Sequence, residues 1–201
     1  MEPYVEQCIF SGLQEADEPR DAFSMKDVRP ASVLGSGAGT QEDVRLARGL
    51  IHKYPDLDMP YYWLSHHHAL KGDFGEARAI LDQGIKRCKR KRYLCDEYGS
   101  VEYEADQVLQ AVKWWIRSAI LQLASNTLDG YGPFMYLAYV AEYCGLKDQS
   151  RKLFEITDEI RSIRLNSDGQ HRLRIRLEML EGTDKRAVIA AIEAFMKLQV
   201  K

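Results

Sequence analysis

From position 40 onward the apolar residues recur at the three- and four-residue spacing of a helix with one buried face. Val44, Ala47, Leu50 and Ile51 form the first stripe, and the run Thr40-Gln41-Glu42-Asp43 before it places a hydroxyl three residues ahead of an acid, a helix-start signal. The spacing predicts a helix from Thr40 to about Tyr54, ended by Pro55. Pro60 suits a first helical turn, where a missing amide proton has no partner to lose, and a second helix should run to about Lys71. Gly72 and Asp73 interrupt the pattern, after which Phe74, Ala77, Ile80, Leu81 and Ile85 resume it as one stripe. Two helices joined by so tight a turn form a hairpin. The layout then repeats: helices over Tyr93–Glu104 and Val108–Leu123, over Pro133–Tyr143 and Asp148–Arg161, and a less regular pair over Asn166–Leu180 and Lys185–Leu198. Nothing in residues 40–201 alternates as a strand does, so the fold class is all-α.

The first 39 residues differ in character. They hold Pro3, Pro19 and Pro30, little helical periodicity, and a closing Gly35-Ser36-Gly37-Ala38-Gly39, and they read as a loosely docked or poorly ordered arm on a flexible hinge. The three glycines imitate a dinucleotide loop. The final glycine offset is missing, no parallel-sheet pattern follows, and no Walker lysine is present.

Aligned by their turns, the hairpins place Asp43, Ala77 and Ala111 at intervals of 34 residues, followed by Ser150 and Ala187 after intervals of 39 and 37. Four residues further on stand Ala47, Leu81, Trp115, Phe154 and Ala191. The first helix of each pair carries a large-then-small step, Leu64-Ser65, Tyr98-Gly99 and Leu137-Ala138, as two helices need if they are to approach to ~8–10 Å. A period of 34 is that of a helix-turn-helix solenoid. On these residues the chain resembles the tetratricopeptide repeat family from about Asp43 to Thr157, most closely in LSHHHALKGDFGEARAIL, with Pro55 placed like the proline that closes a repeat. It departs from the family pattern where Asp106 stands for the turn glycine, where Ser150 stands for alanine, and where about five residues enter between Leu123 and Pro133.

The resemblance implies a right-handed superhelical solenoid of antiparallel helix hairpins. Its repeats would lie near 58–91, 92–125 and 131–164, with a half repeat at 40–57 and a degenerate pair at 166–199. In that family the first helices line a concave groove that holds a peptide. The residues carried there would be Met59, Tyr62, His66 and Leu70, then Tyr93, Asp96, Ser100, Tyr103 and Glu104, then Gly132, Met135, Tyr139, Glu142 and Tyr143. Such a groove is aromatic and acidic. Tyrosines anchor partners at little entropy cost, and the acids would repel the C-terminal carboxylate of a chaperone tail. The expected partner is another protein or peptide, apolar with some Lys or Arg, and the expected role is that of an adaptor, scaffold or chaperone-like module.

Composition narrows the alternatives. The 28 Lys and Arg against 30 Asp and Glu give a net charge of -2, so no global field selects nucleic acid or an anionic membrane. The basic run Lys86, Arg87, Lys89, Arg90, Lys91, Arg92 is a local exception, readable as complement to a helix C-terminus or as a phosphate patch. Acids close behind it disfavour nucleic acid. The tract His66-His67-His68 imitates a metal site, but successive helical side chains diverge by ~100°. No nucleophile motif or carboxylate pair stands out, so the reading assigns no enzyme activity, catalytic residue, metal or cofactor; the alternatives are a nucleic-acid-associated protein using the run 86–92 and an enzyme with an unrecognised site in the groove. The helix at 108–123 is apolar nearly all round, and Trp114 on it is either covered by neighbouring segments or exposed as a second interaction or self-association face. The four cysteines lack C-x-x-C spacing, the start MEPYVEQC has early acids, and no apolar run reaches ~20 residues. A reduced, cytoplasmic setting without membrane contact is expected.

Overall fold

In the computed structural model, residues 41–124, 131–163 and 184–198 are described. The arm at 1–39 with its glycine hinge, the start at Thr40, the insertion at 125–130 and the helix expected over 166–180 lie outside these residues.

Every element among the described residues is a helix, and none is a strand. They are α1 (Gln41–Lys53), α2 (Asp58–Leu70), α3 (Phe74–Arg87), α4 (Arg92–Glu104), α5 (Val108–Ala124), α6 (Gly132–Tyr143), α7 (Lys147–Ile163) and α8 (Lys185–Leu198). The ends fall within about two residues of those expected from the apolar spacing, because the same residues that break the stripe also end the helix. Pro55 follows α1, and Tyr61 Oη donates to its carbonyl at 2.9 Å, tying the α1–α2 turn to the next helix. Pro60 sits in the first turn of α2, as its missing proton allows.

The hairpins α2–α3, α4–α5 and α6–α7 share one turn. Gly72 (φ 76°), Asp106 (φ 60°) and Gly145 (φ 83°) each take the left-handed backbone. At each turn the amide of that residue donates to the carbonyl three before it, and the next amide reaches the carbonyl five before, as 73 to 68, 107 to 102 and 146 to 141. This closure satisfies the last carbonyls of a helix and turns the chain back at once. Recurrence in sequence is therefore recurrence in backbone geometry, even where Asp replaces Gly.

Each hairpin packs on the next: α2 against α1, α3 and α4, α4 against α3 and α5, and α5 against α6. Two apolar clusters result. One joins α1–α4 through Ala47, Tyr61, Leu81, Leu94 and Val101, with Trp114 packed at its border. The other joins Tyr103 of α4 to α5–α8 through Trp115, Phe134, Leu137, Leu153, Ile192 and Phe195. The small members of the large-then-small step, Ser65, Gly99 and Ala138, are all buried. At the tightest point, a Cβ built on Gly99 would lie 2.3 Å from Cδ1 of Trp115, so only glycine allows that indole to lie on α4. The helix α8 lies back against α5, α6 and α7, chiefly α5. This placement explains why α5 is apolar nearly all round: α4, α6 and α8 each cover a side. Among the described residues no helix is long and apolar enough to cross a membrane.

Candidate functional site

The helices α2, α4 and α6, each first in its hairpin, carry stripes of side chains that escape burial. On α2 the stripe is Met59, Tyr62, His66 and Leu70, with Leu70 56% exposed. On α4 it is Tyr93, Asp96, Ser100 and Glu104, 34 residues further along. On α6 it is Gly132, Tyr136, Tyr139, Glu142 and Tyr143, with Tyr139 44% exposed and standing edge-on to Phe154 of α7. Each helix must bury one face in the clusters above, which leaves the opposite face for these residues.

Two residues assigned to the groove belong elsewhere. Tyr103 is fully buried and packs on Trp115, with ring centroids 5.7 Å apart, so it is core. Met135 is 4% exposed and also faces the core. The half-buried residue of that turn is Tyr136, whose ring lies on Trp115 at 4.8 Å. At the 39-residue interval Gly132, Tyr139 and Tyr143 keep the register of Tyr93, Ser100 and Glu104, and only Met135, which aligns with Asp96, is buried, with Tyr136 beside it on the face. The sequence carried a faint signal: Tyr136 is four residues from Gly132 and three from Tyr139, a helical stripe without Met135.

Polar contacts connect α2 to α4. His66 Nδ1 lies 3.0 Å from Glu97 Oε1, and Tyr62 stacks flat above His66 with centroids 6.1 Å apart. Glu97 is buried, and sequence reasoning did not place it in the site. Beside it, Asp96 faces the start of α6, where a Cβ on Gly132 would meet Asp96 Oδ2 at 3.2 Å. Asp96 Oδ1 is shut off from solvent and has no hydrogen-bond partner. Burial, helped by the neighbouring Glu97 charge, pushes the Asp96 carboxyl up to about 7. Burial, and then Asp96 and Glu97, likewise push the Tyr136 phenol upward, so it stays protonated. At the far end, Lys185 of α8 places its ammonium 4.2 Å from the Tyr143 ring centre. Arg92 lies over Tyr93 at 4.4 Å and donates to its hydroxyl at 3.1 Å. The face is thus tyrosine-rich, with carboxylates at its middle and end, and it can accept hydrogen bonds and cations while offering flat apolar surface.

The remaining features are drawn into the fold. The three histidines diverge: His66 to Glu97, His67 into the α1–α2 interface beside Asp43 and Trp63, and His68 to Asp73 at 3.2 Å. Burial, with Lys71 next in weight, pushes the His67 imidazole down. In the basic run Arg92 is buried, and its carbonyl accepts from Ser118 Oγ at 3.0 Å. Arg87 reaches the Tyr61 hydroxyl at 3.5 Å. Trp114 is half-buried, stacked on Tyr98 at 4.1 Å with the Arg117 guanidinium 5.4 Å from its ring centre. Nothing among known protein families, curated proteins or solved structures matches the chain.

Proposed function

We propose that the chain is a tetratricopeptide-like repeat module, a right-handed superhelix of helix hairpins, that binds an extended or helical peptide segment of another protein along α2, α4 and α6. The observation that carries this reading is the alignment of three outward stripes, of matching period, on the first helices of three hairpins with one shared turn. A folded core accounts for the buried faces of those helices. It does not require tyrosines and carboxylates on the faces left over. The partner segment would be apolar with one or two Lys or Arg, seated on Tyr62, Tyr93, Tyr136 and Tyr139 and drawn by Glu104 and Glu142. An adaptor or scaffold role in a reducing compartment such as the cytoplasm suits a chain whose Cys88 and Cys95 are buried and form no disulfide among the described residues. Nucleic acid has less support, because Arg87 and Arg92 of the basic run are engaged with tyrosines.

Photo-crosslinking in cells tests the reading. A photoreactive residue at Tyr139 should capture a discrete partner, one at the exposed Gln83 of α3 should not, and Glu104→Lys with Glu142→Lys should reduce the Tyr139 product about tenfold. Equal capture from both positions, or capture indifferent to the charge reversal, would overturn it.

A further inference from the structure

Among the described residues of the groove face, Asp96 is the one with a buried side-chain atom that has no hydrogen-bond partner. Its Oδ1 is buried and accepts nothing, and its near neighbours do not finish the job. Glu97 is acidic and held by His66 at 3.0 Å, and Ser100 Oγ turns to the backbone carbonyl of Asp96 at 3.3 Å. A second group nearby is also unfinished. Trp115 is fully buried with its Nε1 proton unaccepted, packed over Gly99 one turn along α4 and against the same Tyr136. Buried polar groups without partners cost the free protein stability. Asp96 as a residue is only partly buried, so the face reaches this residue although Oδ1 itself is covered. Gly132 keeps it open, since a side chain at that position would begin 3.2 Å from the carboxylate.

Taking the groove reading above as its basis, we propose that Asp96, flanked by Tyr136 and Gly132, is a receptor for one cationic side chain of the bound partner, a lysine or an arginine. The missing donor fixes the chemistry. A carboxylate oxygen needs N–H groups, and a partner ammonium or guanidinium supplies both donors and the opposite charge. The Tyr136 ring beside Gly132 offers apolar surface to the aliphatic stem. Glu97 adds negative potential without competing for the ligand, since His66 occupies it. The site thus selects which residue of the segment lies at the middle of the groove, while the tyrosines supply area.

The test needs no partner. The full chain, labelled with nitrogen-15, is titrated with N-acetyl-lysine amide, N-acetyl-arginine amide and, as a control of similar size, N-acetyl-norleucine amide, and the indole N–H signal of Trp115 is followed. Either cationic probe should move that signal saturably, and norleucine should not. Asp96→Asn, which keeps the shape and removes the charge, should weaken the response at least about tenfold, and Gly132→Ala should do the same by closing the approach. Both variants should keep the remaining amide spectrum, which verifies folding. A saturable response to lysine alone or arginine alone supports the proposal and names the side chain. No saturable response to either cation, an equal response to norleucine, or an undiminished response in Asp96→Asn would overturn it. In the wild-type chain, a failed titration with the Tyr139 crosslink retained would overturn the Asp96 site alone, whereas a lost crosslink with the titration retained would overturn the peptide-groove reading alone.

Discussion

Asp106 is, among the described residues, the only non-glycine with a left-handed backbone, at φ 60°. Aspartate tolerates that region better than most residues, because its short polar side chain bonds locally, yet it still pays a steric cost that glycine does not. Gly72 and Gly145 show what the turn prefers. Asp106→Gly should therefore stabilise the protein by about 0.5–1 kcal/mol, less whatever glycine gives back in unfolded-state entropy. Urea unfolding checks it: the midpoint should rise at constant slope, and a fallen midpoint would show that the aspartate contributes something beyond the turn. At this scale the sequence was informative. The position was legible as a turn from its place in the repeat, although only the backbone shows that the aspartate takes the glycine conformation.

Between elements, size matters more than type. Gly99 on α4 faces Trp115 on α5, sixteen residues on, and the same interval joins Ser65 to Leu81 and Ala138 to Phe154, so the smallest of the three partners accompanies the largest side chain. A methyl at Gly99 would sit 2.3–2.4 Å from indole atoms of a fully buried tryptophan, and the ring cannot move without disturbing Tyr103 and Tyr136. Gly99→Ala should destabilise by about 1–3 kcal/mol despite the better helix propensity of alanine. Gly49→Ala on α1, with nothing within 4 Å of its Cβ, should gain up to about 1 kcal/mol. Thermal unfolding of the pair makes the comparison, and equal effects of one sign would contradict the packing described. Helix positions were readable because amphipathic spacing is local. The burial of Met135, with Tyr136 on the face in its stead, was not, because rotation of a helix about its axis is set by the helices it meets.

For the whole molecule, Asp96 links structure to pH. Its carboxyl is raised from 3.8 to about 7 in the folded protein, so the folded state holds a proton that the unfolded state releases. Stability from this group is full below about pH 4 and is lost as pH rises toward about 7, the reverse of a salt-bridged acid. Wild type should lose on the order of 2–3 kcal/mol relative to Asp96→Asn between those limits. Urea midpoints of both proteins across that range measure the difference, and parallel curves would refute it. His67 acts oppositely, losing stability as pH falls below its ordinary value of 6.5, but it is common to both proteins and cancels. At this scale α8 also matters, since it brings Val188, Ile192 and Phe195 back onto α5 and α7 rather than extending the row of hairpins. The sequence by itself determined the helices, their turns, their period and the aromatic, acidic character of the face, because these depend on neighbours within a few residues along the chain. Only the tertiary structure decided that Tyr103 and Met135 are core, that α8 closes the second cluster, and that Asp96 stands between Glu97 and Gly132 with one oxygen unanswered. Those outcomes depend on which helices meet and at what rotation, which the spacing within any one helix does not specify.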